Sequence, residues 1–134
     1  MAAIQNFSID QGTTTPIIFT IKQLTFNTLP WDAITNPYIP VDLTNATIQT
    51  MWRKDIDDYS PVFTATNISP DVHFVITNAT GGVFQLNLLP ADTTGIIFTG
   101  DSIDLVYDIE ITDITGAITR ALEGTITIVR EVTR

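Results

Sequence analysis

Apolar and polar positions alternate with a period of two along most of this chain. The pattern is clearest near the end, where Leu105, Tyr107, Ile109 and Ile111 are separated by Val106, Asp108 and Glu110, with Thr112 following. Strict alternation sends one set of side chains to each face of a strand, so it predicts a strand buried on one side only. Asp113, Thr115 and Gly116 then supply turn chemistry. Asp hydrogen-bonds its own backbone, and Gly accepts positive φ without a steric cost. A second β-rich run over 117–129, with Leu122, Ile126 and Ile128 on one parity, completes a long antiparallel hairpin.

The same reading applies upstream. Phe7 and Ile9 mark a short first strand. Residues 13–22 carry Ile17, Phe19 and Ile21 on one parity, with Pro16 near the start because it has no N–H for the ladder. Ile48, Thr50 and Trp52 define the inward side of another strand, with Trp52 as the central core aromatic. Short strands are expected over 61–66 and 73–77. A turn at 78–82 follows, then a strand carrying Phe84, Leu86 and Leu88 inward. Residues 89–95 read as one helical turn. Nothing sustains a 3.6-residue period, and no internal repeat is visible.

Seven to eight strands with apolar faces to hide, and no long helix, predict an all-β fold. The expectation is an immunoglobulin-like antiparallel β-sandwich forming one domain over 1–134. One stretch breaks the pattern. Residues 23–40 hold Pro30, Pro37 and Pro40 and predict a long irregular loop, yet they carry Phe26, Leu29, Trp31, Ile34, Tyr38 and Ile39. Two uses fit such a loop: capping the open end of the sandwich, or touching a partner through Trp31, Tyr38, Phe26 and Ile39.

Composition narrows the chemistry. The net charge is −9, from 15 acidic and 6 basic residues. Phosphate backbones are bound by Lys and Arg, so a nucleic-acid role is not expected. There is no cysteine, so no disulfide and no thiolate metal site. No run reaches the ~18 apolar residues of a membrane helix, and no membrane role is expected. The start of the chain lacks the basic and apolar regions of a signal peptide.

Candidate sites each meet a plainer reading. His73 is the single histidine and reads as a surface residue beside a strand. Asp55, Asp57 and Asp58, like Asp101 and Asp104, have the spacing of an oxygen-ligand loop but lack the Gly turn and bidentate Glu of an EF-hand. Asp108 and Glu110 sit two apart on one strand face, as paired glycosidase acids or as an ordinary outward face. Asn6, Asn45, Asn67 and Asn78 open N-x-S/T sequons, which matter only in a secretory pathway. The expectation is therefore no catalytic, metal or cofactor site, and no enzyme.

Several stretches carry a resemblance. They are Phe7-x-Ile9-x-Gln11-Gly12, the VDLTNAT run over 41–47, GVFQLNL over 82–88, Ala91-Asp92-Thr93-Thr94, YDIEITD over 107–113, and LEGTITIVREVTR over 122–134. In this order they resemble short tailed-bacteriophage virion proteins. The immunoglobulin-like N-terminal module of phage baseplate upper proteins is similar in strand order and ending. The chain departs from that pattern at 23–40, where relatives often have a short turn. It also stops at Arg134, which favours assembly over adsorption. The resemblance implies a non-enzymatic virion component, in the tail or baseplate in preference to capsid decoration. Its partners would be other virion proteins and copies of itself, after synthesis in the host cytoplasm. A different class remains open: a carbohydrate-binding sandwich with Trp31 and Tyr38 as sugar platforms.

Overall fold

A computed structural model describes residues 3–24, 38–68 and 72–130. They form a two-layer all-β sandwich. In chain order the strands are β1 (Ala3–Ile4), β2 (Phe7–Asp10), β3 (Thr15–Thr20), β4 (Lys22–Leu24), β5 (Tyr38–Pro40), β6 (Thr47–Arg53), β7 (Phe63–Thr66), β8 (Phe74–Asn78) and β9 (Val83–Leu88). A one-turn helix α1 (Pro90–Thr94) follows, then β10 (Ser102–Thr112) and β11 (Ile118–Val129). The larger sheet has the order β1-β11-β10-β6-β7, with β2 also pairing with β11. The smaller has the order β3-β9-β8, and β4 pairs with β5.

The long hairpin is the spine of the larger sheet. β10 pairs antiparallel with β11 on one side and with β6 on the other, bringing Trp52, Tyr107 and Gly124 into one row. Inward residues of both sheets make a common core. Ile9, Ile48, Trp52, Leu105, Ile109, Ile126 and Ile128 come from the larger sheet, and Phe19, Phe74, Phe84, Leu86 and Leu88 from the smaller. Rings meet across the layers, where Phe7 lies edge-on to Phe19 at 5.5 Å, and within the smaller sheet, where Phe19 stacks on its cross-strand partner Phe84 at 5.1 Å. Of the core predicted from parity, Ile17 alone is only partly buried, packed against the cluster.

Two buried hydroxyls show how the core tolerates polarity. Thr50 donates to the Asp108 carbonyl at 2.6 Å. Thr93 accepts the Gly12 N–H at 2.8 Å. Each polar group keeps a partner, which avoids the cost of burying it alone.

The structure revises some boundaries. The run over 13–22 falls in two strands, because β3 ends at Thr20 opposite Val83, where its partner β9 begins after the 78–82 turn, and the chain then pairs with β5. Ile21 bridges the break: its N–H donates to the Gly82 carbonyl at 2.9 Å and its carbonyl accepts from Val41 at 3.0 Å. A Cβ on Gly82, which has φ +70°, would collide with that Ile21 carbonyl. The stretch predicted as a loop over 23–40 begins and ends in strand, with Gln23 opposite Ile39 and Leu24 opposite Tyr38. The short strand expected over 61–66 starts at Phe63.

The first two strands pair in parallel with β11, Ala3 opposite Leu122 and Phe7 opposite Ile126. Between them the chain is pinned rather than laddered. Tyr107 Oη donates to the Gln5 carbonyl at 2.6 Å, Gln5 N–H to Glu123 at 2.9 Å, and Thr125 N–H to Asn6 Oδ1 at 2.9 Å. Burial pushes the Tyr107 phenol up to about 12. The fold therefore favours the protonated phenol. Its contribution to stability is complete below the ordinary value of 10.0 and is lost as pH rises from there through about 12. Urea titrations across that window should show a decline that Tyr107→Phe removes, against a lower plateau; an equal decline in the variant would contradict the assignment.

Candidate functional site

The acidic turns are built by their own carboxylates. Asp55 Oδ1 accepts the Asp57 N–H and Asp58 Oδ1 the Ser60 N–H, each at 3.0 Å. Asp42 Oδ1 takes the Thr44 hydroxyl at 2.6 Å and its N–H at 2.9 Å, and the hydroxyl bond above all holds this carboxyl below its usual range. Asp113 Oδ1 takes the Thr115 hydroxyl, the Thr115 N–H and the Ala117 N–H, and is lowered for the same reason. These are side-chain turns of the kind Asp favours. Among the described residues no group of three or more His, Cys, Asp or Glu side chains converges to hold a metal ion.

The asparagines of the sequons are likewise occupied in folding. Asn67 donates to the Ala46 carbonyl and accepts the Ile48 N–H, closing the start of β6. Asn78 Oδ1 accepts the Gly81 N–H in the β8–β9 turn. Asn45 takes φ 57°, a conformation Asn tolerates better than most residues.

His73 is less exposed than expected of a surface residue. Its Nε2 lies 3.1 Å from Asp92 Oδ1, with the His73 and Asp92 side chains 19% and 16% exposed, and its ring meets Phe63 edge-on at 5.2 Å. The other Asp92 oxygen accepts the Leu89 N–H at 2.7 Å, at the start of α1. The pair ties the approach to β8 to the helical turn. Its location accounts for the histidine as a brace.

Asp108 and Glu110 line a shallow groove of about 200 Å³ on the outer face of the larger sheet, with Met51, Arg53, Val106 and Arg120. A register shift after Ile109 sets Arg120 opposite Glu110. Such a bulge re-aims side chains, and Arg120 Nε here lies 3.2 Å from Asp108 Oδ2. Arg53 is turned aside, donating to the carbonyls of Asp58 and Tyr59. The groove is a surface ion-pair network in which positive and negative groups answer one another.

Of the residues predicted to touch a partner, Tyr38 and Ile39 lie on β5, facing β4 in the ladder. Phe26 and Trp31 lie outside the described residues. The contact that sequence reading missed is Gln11–Thr93. Gln11 Nε2 donates to the carbonyls of Thr93 and Ile96 at 3.3 and 3.4 Å, beside the Gly12–Thr93 bond. Two short motifs about eighty positions apart thus close on one another, and no local signal marks such a pair.

No protein-family model matches the chain, and no curated protein sequence matches it. Among solved structures it is similar to AggA, the major subunit of aggregative adherence fimbriae type I from Escherichia coli. Identity is 14%, with 94% of this chain and 89% of that one covered, at a TM-score of 0.29. A likeness at that score has no weight for fold or function.

Proposed function

We propose that this chain is a non-enzymatic structural component of a tailed-phage virion, a repeated subunit that makes assembly contacts in the tail or baseplate in preference to the capsid surface. One observation carries the reading: the residues of the phage resemblance coincide with the framework of the fold. Ile9 is core, Gln11 and Gly12 bond the Ala91–Thr94 motif, and Leu43 of the VDLT run is fully buried. Tyr107 and Gly124, from the two strongest motifs, seat the first strands. A likeness that resides in framework residues is a likeness of scaffold. No catalytic group comes with it, which fits a part that works by contact. The net charge of −9 suits a protein that must stay soluble at high local concentration before assembly.

Trp31→Ala combined with Tyr38→Ala tests the contact role of the 23–40 stretch. The isolated domain should keep its unfolding midpoint while incorporation into particles falls at least about tenfold, the scale of a lost aromatic hot spot. A collapsed midpoint with normal assembly of the folded fraction would make the stretch a core cap. Sugar-dependent quenching of Trp31 emission in a Trp52→Phe background would favour the carbohydrate-binding alternative.

A further inference from the structure

The ion-pair network on the outer face of the larger sheet leaves one carboxylate over. Its groove is lined by three carboxylates, Asp108, Glu110 and Glu123, against two guanidiniums, Arg53 and Arg120. Arg120 stands opposite Glu110 in the ladder. It turns instead to Asp108 at 3.2 Å and to Glu123 at 3.7 Å. Arg53 donates to the carbonyls of Asp58 and Tyr59 and to the Met51 sulfur. Among the described residues no cation pairs with Glu110, which is half-buried on β10. The groove also offers apolar surface, from Met51 and Val106 on the strands and from Ile56, 82% exposed, on the loop after β6. Tyr59 on that loop is 98% exposed. The Arg53 bonds and the Asp55 and Asp58 turns hold the loop in shape, so it presents both side chains to water.

We propose that this groove receives an arginine or lysine side chain of a partner protein, with its charge on Glu110 and its aliphatic stem along Met51, Val106 and Ile56. The inference deepens the assembly reading above and rests on it for the partner's being another virion protein. Charge and shape select the occupant. A half-buried carboxylate without a counter-ion is stabilised by a cation that also hydrogen-bonds it. Among the described residues the carboxylates do not converge as metal ligands, so the cation is an organic one. Long cationic side chains lay their methylene stems on apolar surface and carry the charge at the tip. That matches apolar Met51, Val106 and Ile56 in one groove with Glu110.

Size and field point the same way. At about 200 Å³ the groove is smaller than the roughly 300–1,000 Å³ of sites that enclose a whole small molecule, and it suits one side chain. Ile56 and Tyr59 supply the apolar and aromatic surface typical of a protein contact. Asp55, Asp57 and Asp58 outnumber Lys54 on the same loop, so the approach is negative and steers a basic segment inward. A second copy arrives with its own net charge of −9 and is repelled.

Amide chemical shifts of the full chain, titrated with the blocked tripeptide valine-arginine-valine, test the proposal. The control is the same peptide with citrulline, which keeps the shape and loses the charge. The arginine peptide should bind at least about tenfold more tightly, with shifts at Met51, Asp108, Glu110 and Arg120. Raising salt from about 0.05 M to about 0.5 M should shrink that preference. Glu110→Gln should abolish it at an unchanged unfolding midpoint. Asp104→Asn makes the same change of net charge on the same strand outside the groove, and should leave the preference intact. Equal binding of the two peptides, or binding of neither, overturns the proposal. So does an equal loss in Asp104→Asn, which would report net charge alone. Self-association in sedimentation velocity that Glu110→Gln removes would assign the groove to a second copy and overturn it too. Each of these leaves the assembly reading intact when the chain is found in particles. Arginine-selective binding here, in a chain that never enters particles, would instead contradict the assembly reading alone.

Discussion

Trp52→Ala is expected to lower the unfolding free energy by about 3–5 kcal/mol, the range for truncating a large aromatic in a core. The indole is 1% exposed and lies 4.5 Å, ring to ring, from Phe63 on the next strand. Across the ladder it stands opposite Tyr107. The interior beside it holds a void of about 10 Å³, lined by Phe7, Phe19, Thr50 and Leu86 among others. With so little slack, the space left by the indole would remain as a cavity. Urea denaturation measures the loss directly. A value below about 1 kcal/mol would mean that Trp52 is not the centre of the core.

Gly124→Ala should cost about 1.5–4.5 kcal/mol, although it adds one methyl group to a strand. That Cβ would sit well inside contact distance of the Gln5 carbonyl oxygen and close to Asn6 Oδ1. Backbone cannot swing away as a side-chain tip can. Relief requires detaching the chain at Gln5 and Asn6, with loss of the bonds from Tyr107, from Gln5 to Glu123 and from Thr125. Three hydrogen bonds at about 0.5–1.5 kcal/mol each give the estimate. Hydrogen exchange should quicken over Ala3 to Ile9 while the β6–β10 ladder stays protected. An unchanged midpoint would contradict the close seating of the first strands.

Period-two alternation made the sandwich legible because most strands here bury one face. Ile48 and Trp52, Phe84 to Leu88, and Leu105 to Ile111 declare their faces locally, and the turns at 78–82 and 113–116 declare themselves by Asn, Asp and Gly. Pairing without a local turn was not legible. The parallel seating of β1 and β2 on β11 leaves no mark near residue 3. Its trace is Gly124, a glycine inside a strand where backbone approaches closely. The division of 13–22 depends on where the β8–β9 turn ends a partner strand, a tertiary fact. The Asp108–Glu110 spacing was visible, but the bulge that turns Arg120 toward Asp108 depends on which residue of β11 is left unpaired. The aromatic stretch stands furthest from any rule, since neither alternation nor turn chemistry says what Trp31 and Phe26 touch.

On the proposed function, the chain works as a repeated subunit built into a particle. Quantitative mass spectrometry of gradient-purified virions, calibrated against the major capsid protein, measures this most directly. The chain should be found in intact particles at a fixed, multiple copy number that survives high-salt washing, and should partition with tail or baseplate when particles are dissociated. Its absence from washed particles, with the protein present free in the lysate, would contradict the claim.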